Sequence, residues 1–220
     1  MLEVRTLDRL EDLPNPVPDA DFVVVDVIIA STAVVRLLEE GAEYVRTFGD
    51  TEKALAFKRE EDAVLVGEQS GSPVEGFDLS PLPSVFSEHG LEGTPVGLMT
   101  TNGTRAVERI GKEENVFFGS TINAGAVAET LRERGRDVWI VGAGRYGDET
   151  PEDTAGATLI EEMFDGGPTD EHAEELKDRI RGSGTASWVA DIGYEHEIEA
   201  LLEFDSSETV PRMRDGVFVG

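Results

Sequence analysis

The sequence predicts an α/β protein: a three-layer α/β/α arrangement with a mainly parallel sheet and a C-terminal hairpin. Three observations predict it. Short β-branched runs such as FVVVD, AVLVG and DVWIV recur along the chain, and runs of that kind suit strands buried on both faces. Segments with apolar residues at helical spacing lie between them. Strands that alternate with helices build βαβ units, hence a mainly parallel sheet covered by helices on both sides. No internal repeat or composition break divides residues 1–220, which read as a single domain, with two lobes meeting near Gly111 as a variant of that reading.

The elements follow in order. FVVVD (Phe22–Asp26) is the first predicted strand. Ala30, Val34, Leu37 and Leu38 then share a helical face, with Ser31 or Thr32 as a cap and Gly41 as a stop. EYVRT is a strand, DTEKALAFK a helix and AVLVG (Ala63–Gly67) a strand, and a long proline-containing loop runs from Glu68 to Pro83. TPVGLM is the next strand, TRAVERIG a helix ended by Gly111, and NVFFG a strand. NAGAVAETLRERG is a helix with Ala124, Val127, Ala128 and Leu131 on one face. DVWIV, a polar loop from Gly142 to Asp153, and the helix TAGATLIEEMFDGG follow. From Thr169 the chain is mostly helical through HAEELKDRI and HEIEALLEF, and VPRMRDGVFVG closes as a hairpin turned at Asp215-Gly216.

Charge narrows the function classes. Asp and Glu number 46 against 19 Lys and Arg, a net charge of −27. The acids are dispersed, and the lysines are few: Lys53, Lys58, Lys112 and Lys177. Dispersed acid with scarce lysine suits a halophilic surface, where molar salt screens self-repulsion. It argues against nucleic acid or an anionic membrane as partner, since both require basic surface. No apolar run approaches the roughly 20 residues of a transmembrane helix, and MLEVRTLDRLEDLP lacks the build of a signal peptide. A cytoplasmic protein is expected. Without cysteine there is no thiolate nucleophile or cysteine metal site. The oligomeric state stays open, a homo-oligomer included.

In open parallel sheets, ligands bind beyond the carboxyl ends of the strands. The polar residues of this chain fall there: Asp26 with Ser31 and Thr32; Glu68; Thr100, Thr101, Asn102 and Thr104; Ser120, Thr121 and Asn123; and Arg145, Glu152 and Asp153. TTNGT reads as a strand-to-helix loop whose N–H groups and hydroxyls can cradle an anion, with Gly103 giving the backbone room. Taken singly, such hydroxyls serve most often as helix caps. Carboxylates beside an anion-binding loop suggest Mg²⁺, which prefers a few carboxylates plus substrate phosphate and water. That pairing suits phosphoryl transfer. Other patterns are weaker. GAGRYG (Gly142–Gly147) matches G-x-G-x-x-G in form but does not open a helix directly. His89, His172 and His196 are scattered, and neither G-x-S-x-G nor H-x-x-x-H occurs. Trp139 and Trp188 read as packing residues.

Taken together, the motifs resemble the 2-phosphosulfolactate phosphatase family over nearly the whole chain. VVVDVIIASTAVV is similar to the family's D-V-L-R-A-T-T region, and GEQSGSPVEGFDLS to its G-E-x-x-G-x-x-x-x-G-F-D-L-G-N loop. TTNGTRA matches T-T-N-G-T, GSTINAGAVA the following S-x-x-N segment, and GAGRYGDETPEDTAGA resembles C-A-G with a downstream E-D-x-x-A-G. The resemblance implies a Mg²⁺-dependent acid phosphatase of α/β/α fold, acting on 2-phosphosulfolactate on the route to coenzyme M. Asp26, Glu68, Asp78, Asn102, Thr104, Arg105, Asn123 and Asp153 occupy its motif positions. By residue chemistry, Asp26, Glu68 and Asp153 are the candidate catalytic carboxylates. Asp26, Glu68 and Asp78 are the candidate Mg²⁺ ligands. Thr101, Asn102, Gly103, Thr104, Arg105 and Asn123 are the candidate contacts to the phosphate or sulfonate.

Three departures bear on this. Ile29 stands where the pattern has Arg, Gly142 where it has Cys, and Ser80-Pro81 where it has Gly-Asn. An apolar residue at 29 favours a substrate with fewer charges or an apolar group. The leading reading is a Mg²⁺-dependent phosphatase of a small phosphorylated carboxylic or sulfonic acid. A non-catalytic anion-binding protein of the same fold is the second, and a nucleotide-cofactor enzyme using GAGRYG the third.

Overall fold

The computed structural model describes residues 2–111 and 114–220. Along the chain run β1 (Val4–Leu7), β2 (Asp21–Val25), α1 (Ala30–Glu39), β3 (Tyr44–Thr47), α2 (Thr51–Glu61), β4 (Val64–Gln69), β5 (Ser72–Pro73) and β6 (Pro95–Met99). Then come α3 (Gly103–Ile110), β7 (Val116–Gly119), α4 (Ala124–Arg134), β8 (Val138–Gly142), α5 (Pro151–Met163), α6 (Asp170–Arg181), α7 (Gly184–Asp191), α8 (Glu195–Leu201), β9 (Arg212–Arg214) and β10 (Val217–Val219). The strands form one sheet in the order β1-β8-β2-β7-β9-β10-β3-β6-β4-β5.

The α/β class and the mainly parallel sheet match the sequence reading. β1, β8, β2 and β7 run parallel to one another, as do β3, β6 and β4. The predicted hairpin, β9 and β10, does not close an edge. It lies between the two parallel sets, antiparallel to β7 on one side and to β3 on the other. Met213 and Phe218 are fully buried there, and the Phe218 ring packs against Phe118 with centroids 4.5 Å apart. Burying a side chain of that size contributes about 1.5–3 kcal/mol, so the hairpin is part of the core.

The layers follow from period-2 alternation. In β2, Phe22 and Val24 face one apolar cluster with α1 and α3, while Val23 and Val25 face a second with α4 and α5. β7 and β8 split the same way, Phe118 and Trp139 to the first cluster, Phe117 and Ile140 to the second. α2 covers the other parallel set through Ala54 and Phe57 against Leu65. α6, α7 and α8 extend the second cluster through Leu176, Val189, Ile198 and Leu201. β1 is a strand that the apolar pattern did not signal, because VRTL lies on the sheet edge and is only partly buried. No helix of the described residues is long and apolar enough to cross a membrane.

Candidate active site

Loops at the carboxyl ends of β2, β4, β6 and β8 converge on one pocket, with an empty volume of about 600 Å³, part of it open to solvent. β2 contributes Asp26 and Ile29 through the turn into α1. That turn is fixed by Ser31, whose Oγ accepts from the Asp26 N–H at 2.9 Å and donates to the Val24 carbonyl at 3.0 Å. Thr32 Oγ1 donates to the Val27 carbonyl at 2.7 Å. These two hydroxyls brace the turn that aims Asp26.

β6 contributes Thr101 and Asn102. Here Glu68, at the end of β4, organises the TTNGT loop. Its Oε1 accepts the Thr101 N–H at 2.7 Å, and its Oε2 accepts the Gly71 N–H at 2.6 Å and the Thr101 hydroxyl at 3.1 Å. Thr101 Oγ1 in turn accepts the Ser70 N–H at 2.8 Å. The loop then starts α3, which packs on β2. At the contact, a Cβ on Gly103 would lie 2.3 Å from the Ala30 Cβ and 2.8 Å from Asp26 Oδ2. Glycine at 103 is what lets the β6 loop reach the β2 carboxylate, the close approach that a side chain forbids.

The β8 loop and the start of α5 supply Arg145, Tyr146, Thr150, Glu152 and Asp153. Asp153 Oδ1 accepts the Val27 N–H at 2.9 Å and Oδ2 the Gly144 N–H at 3.0 Å, so this carboxylate clamps two loops together. Glu152 precedes it and is 3% exposed, yet its Oε2 is buried without a partner. Thr150 Oγ1, on the same wall, is likewise unpartnered. Leaving such atoms dry and unpaired costs about 1–3 kcal/mol each, so these two pocket-lining residues hold bonding capacity that the fold leaves unused. α7 closes the far side with Thr185 and Trp188.

Electrostatics reinforce this. Burial pushes the Asp26 carboxyl up to about 7, and the neighbouring charges of Glu68 and Glu152 push the same way, against hydrogen bonds from the Ala30 and Gly103 N–H groups. Burial also raises Asp153 well above the ordinary carboxylate range, with Asp26 and Glu152 adding to it and the Val27 and Gly144 N–H groups opposing. Among the described residues, Arg145 is the one cation lining the pocket. Four carboxylates against one guanidinium leave the pocket short of positive charge.

The sequence-predicted site residues thus divide. Asp26, Glu68, Thr101, Asn102 and Asp153 line the pocket, and Gly103 sets its backbone approach. Four others do not line this pocket, though Thr104 and Arg105 line an adjoining recess that shares Glu68, Ser70 and Thr101 with it. Asp78 pairs with Lys58 through Oδ1 and accepts the Leu65 N–H through Oδ2 at 2.8 Å, fastening its own loop to β4. Arg105 turns away along α3 and pairs with Glu11 at 2.7 Å. Thr104 donates to the Thr100 carbonyl at 2.6 Å. Asn123 accepts the Ser120 N–H at 2.8 Å and donates to the Thr209 carbonyl at 2.9 Å, so the second hydroxyl-rich loop braces the C-terminal segment. Tyr146 and Trp188 are pocket residues not proposed from sequence, and Glu152 was placed at the strand ends without a role. The position of Glu152 at the start of a helix beside Asp153 was a signal for it. The position of Trp188, beyond the last motif, gave none.

The departures also find places. Ile29 lines the pocket. A Cβ at Gly142 would stand 2.8 Å from the Asp8 carbonyl oxygen, so the space a cysteine would need is taken by backbone. Pro81 lies in an adjoining recess that shares Ile29.

For a metal, among the described residues no three His, Cys, Asp or Glu side chains are arranged as a ready ligand set. The oxygens of Glu68 and Asp153 are engaged by N–H groups. Asp26 takes N–H groups from Ala30 and Gly103, which leaves Glu152 as the carboxylate with an unpartnered oxygen. That donor set fits a hard cation held through one or two carboxylates, which draws its other ligands from water and a phosphate.

A family model described as 2-phosphosulpholactate phosphatase matches residues 8–216. The chain is 32% identical to a probable 2-phosphosulfolactate phosphatase of Thermotoga petrophila over 216 residues, covering 93% of this chain and 94% of that one. It is 32% identical to a protein of that same name from Thermoplasma acidophilum over 200 residues, 90% and 87% of the two chains. A third, from Clostridium acetobutylicum, is 29% identical over 210 residues, 88% and 89% of the two.

Proposed function

The chain belongs to the 2-phosphosulpholactate phosphatase family, and on that premise we propose that it hydrolyses a small phosphate monoester in the pocket between Asp26, Thr101 and Glu152. The observation that carries this reading is the unpartnered Glu152 Oε2, buried beside Asp26 in a pocket with an excess of carboxylates. Such a wall asks for a cation, and a dianionic phosphate would bind there poorly without one.

Glu152 is the anchor for Mg²⁺ in this reading, and Asp26, beside it in the same pocket, is left to carry a proton. Bound there, Mg²⁺ would offset charge on the phosphate oxygens during transfer. The remaining work falls to the chain. Asn102, on the β6 loop, binds a phosphate oxygen, and Arg145 takes an anionic group of the substrate. Glu68 and Asp153 hold those loops in register. A carboxyl that titrates near neutrality is suited to proton transfer. Asp26 gives its proton to the ester oxygen as the P–O bond breaks, and the water that adds to phosphorus returns one to it. The products are the free alcohol and inorganic phosphate.

Titration calorimetry of Mg²⁺ into the protein in molar KCl tests the metal assignment without relying on turnover. Wild type should bind one Mg²⁺ per chain and Glu152→Gln should bind it at least about tenfold more weakly, the cost of one charged ligand. Equal affinity in both would remove Glu152 as the anchor.

A further inference from the structure

The polar pocket does not end at α7. It continues into a second cavity, of about 760 Å³ empty volume, that shares Ile29, Glu68, Gly71 and Trp188 with it. Beyond those shared residues the walls include the apolar Pro73, Pro81, Leu82, Ile192 and Tyr194, with Ser72 and Ser80 among them. No lysine or arginine lines this recess, and its one acid, Glu68, has both oxygens turned to the Thr101 and Gly71 N–H groups. A sulfonate or carboxylate placed here would meet no cation, whereas a hydrocarbon would meet an apolar surface on several sides.

Exposure points the same way. The large hydrophobic side chains left exposed among the described residues are Tyr146, at 65%, and Ile192, at 45%. Tyr146 lines the polar pocket and Ile192 the recess. A lone exposed apolar residue is ordinary, but both falling on one composite mouth marks a ligand-facing surface. Trp188 forms the partition. Its ring stands against Gly71, where an added Cβ would lie 3.2 Å from Trp188 Cζ2. Glycine at 71, with φ +79°, lets the loop backbone come this close to the indole.

We propose that the substrate is a phosphate monoester whose alcohol part carries a hydrocarbon substituent of isobutyl to benzyl size. The phosphate sits in the polar pocket, and the substituent passes Ile29 and Trp188 into the recess. This proposal rests on the phosphatase reading above for its reaction, but not for its binding.

The test compares three esters, O-phosphoglycolate, 2-phosphosulfolactate and the O-phosphate of 2-hydroxy-4-methylpentanoate, in molar KCl with Mg²⁺. The matching phosphonates are measured by calorimetry beside them. The isobutyl ester should have the highest kcat/KM, by at least about tenfold, the scale on which apolar pockets discriminate. Its ratio to the sulfonated ester should fall about tenfold in Ile192→Asp and in Trp188→Ala, with circular dichroism confirming that both variants fold and Trp188→Phe retaining most of the ratio. A preference for the sulfonated ester, or a ratio that neither variant moves, would overturn the proposal. Turnover without preference would leave the phosphatase reading standing and remove the recess. Tight binding of the isobutyl phosphonate with no ester turned over would keep the recess and remove the phosphatase reading.

Discussion

Glu152 and Asp153 are consecutive in the first turn of α5, but their carboxylates have opposite surroundings. Both oxygens of Asp153 accept backbone N–H groups, at 2.9 and 3.0 Å, from two different loops. Glu152 keeps a buried oxygen with no partner. One residue holds the site together and the next leaves it unsatisfied, so the two respond differently to loss of charge.

Asp153→Asn puts an NH₂ group against a backbone N–H that the carboxylate now accepts. It should cost about 1–3 kcal/mol of stability, the usual scale for a buried donor left unpaired. Glu152→Gln removes an uncompensated buried charge, and should leave stability unchanged or raised. Urea unfolding in molar KCl checks both, and a loss in Glu152→Gln equal to that in Asp153→Asn would mean that Glu152 has a structural partner.

The titration of Asp26 gives a pH dependence whose sign is fixed. Its carboxyl titrates at about 7 in the folded chain against an ordinary 3.8. Between those values the folded state holds a proton that the unfolded state has lost, so stability falls as pH rises through that window and levels off above about 7. Asp153 is raised too and acts in the same sense. The unfolding free energy of wild type without Mg²⁺, measured with urea, should therefore drop between pH 5 and 8 by more than that of Asp26→Asn, with a difference on the order of a few kcal/mol. Parallel curves for the two proteins would place the raised carboxyl elsewhere.

Gly103→Ala drives a methyl into the Ala30 Cβ and Asp26 Oδ2. Overpacking of this kind costs about 1–3 kcal/mol. The atoms it displaces carry the carboxyl proposed to transfer the proton, so turnover should fall more than stability does. Activity near that of wild type in a stable Gly103→Ala protein would separate the TTNGT loop from Asp26.

A net charge of −27 should make the fold depend on salt. The screening length is about 10 Å at 0.1 M salt and about 3 Å at 1 M, so lowering KCl below a few tenths molar should unfold the chain or weaken it sharply. Far-UV circular dichroism that melts identically in dilute and molar KCl would remove the halophilic reading.

What the sequence made legible follows from where its signals come from. β2, β4, β6, β7 and β8 were readable because they are buried on both faces and so carry continuous apolar runs. β1 was not, since Arg5 and Thr6 on an edge strand break that pattern. The hairpin at Asp215-Gly216 was legible as a hairpin, but its place in mid-sheet depends on Phe218 reaching Phe118, a contact between residues far apart in sequence. Asp26, Glu68, Thr101, Asn102 and Asp153 were legible because the carboxyl ends of parallel strands share one edge. Asp78, Arg105 and Asn123 lie in the same motifs, but a motif gives position and not the direction of the side chain. Each turns to a neighbour of its own: Lys58, Glu11 and Thr209. Trp188 was read as packing and does pack on the second cluster, but it also lines the pocket, because α7 is brought to the site by the packing of α6 and α8 on that cluster.

The account turns on Asp26 as the proton-transferring group of a Mg²⁺-assisted phosphatase. Its most direct test is release of inorganic phosphate from a panel of small phosphate monoesters, measured in molar KCl for wild type and Asp26→Asn, each with Mg²⁺ and with EDTA. Wild type with Mg²⁺ should turn over, EDTA should abolish the reaction, and Asp26→Asn should lower kcat by about 10²–10⁴, the range attributed to a general acid or base. Phosphate release that survives both EDTA and Asp26→Asn would contradict it.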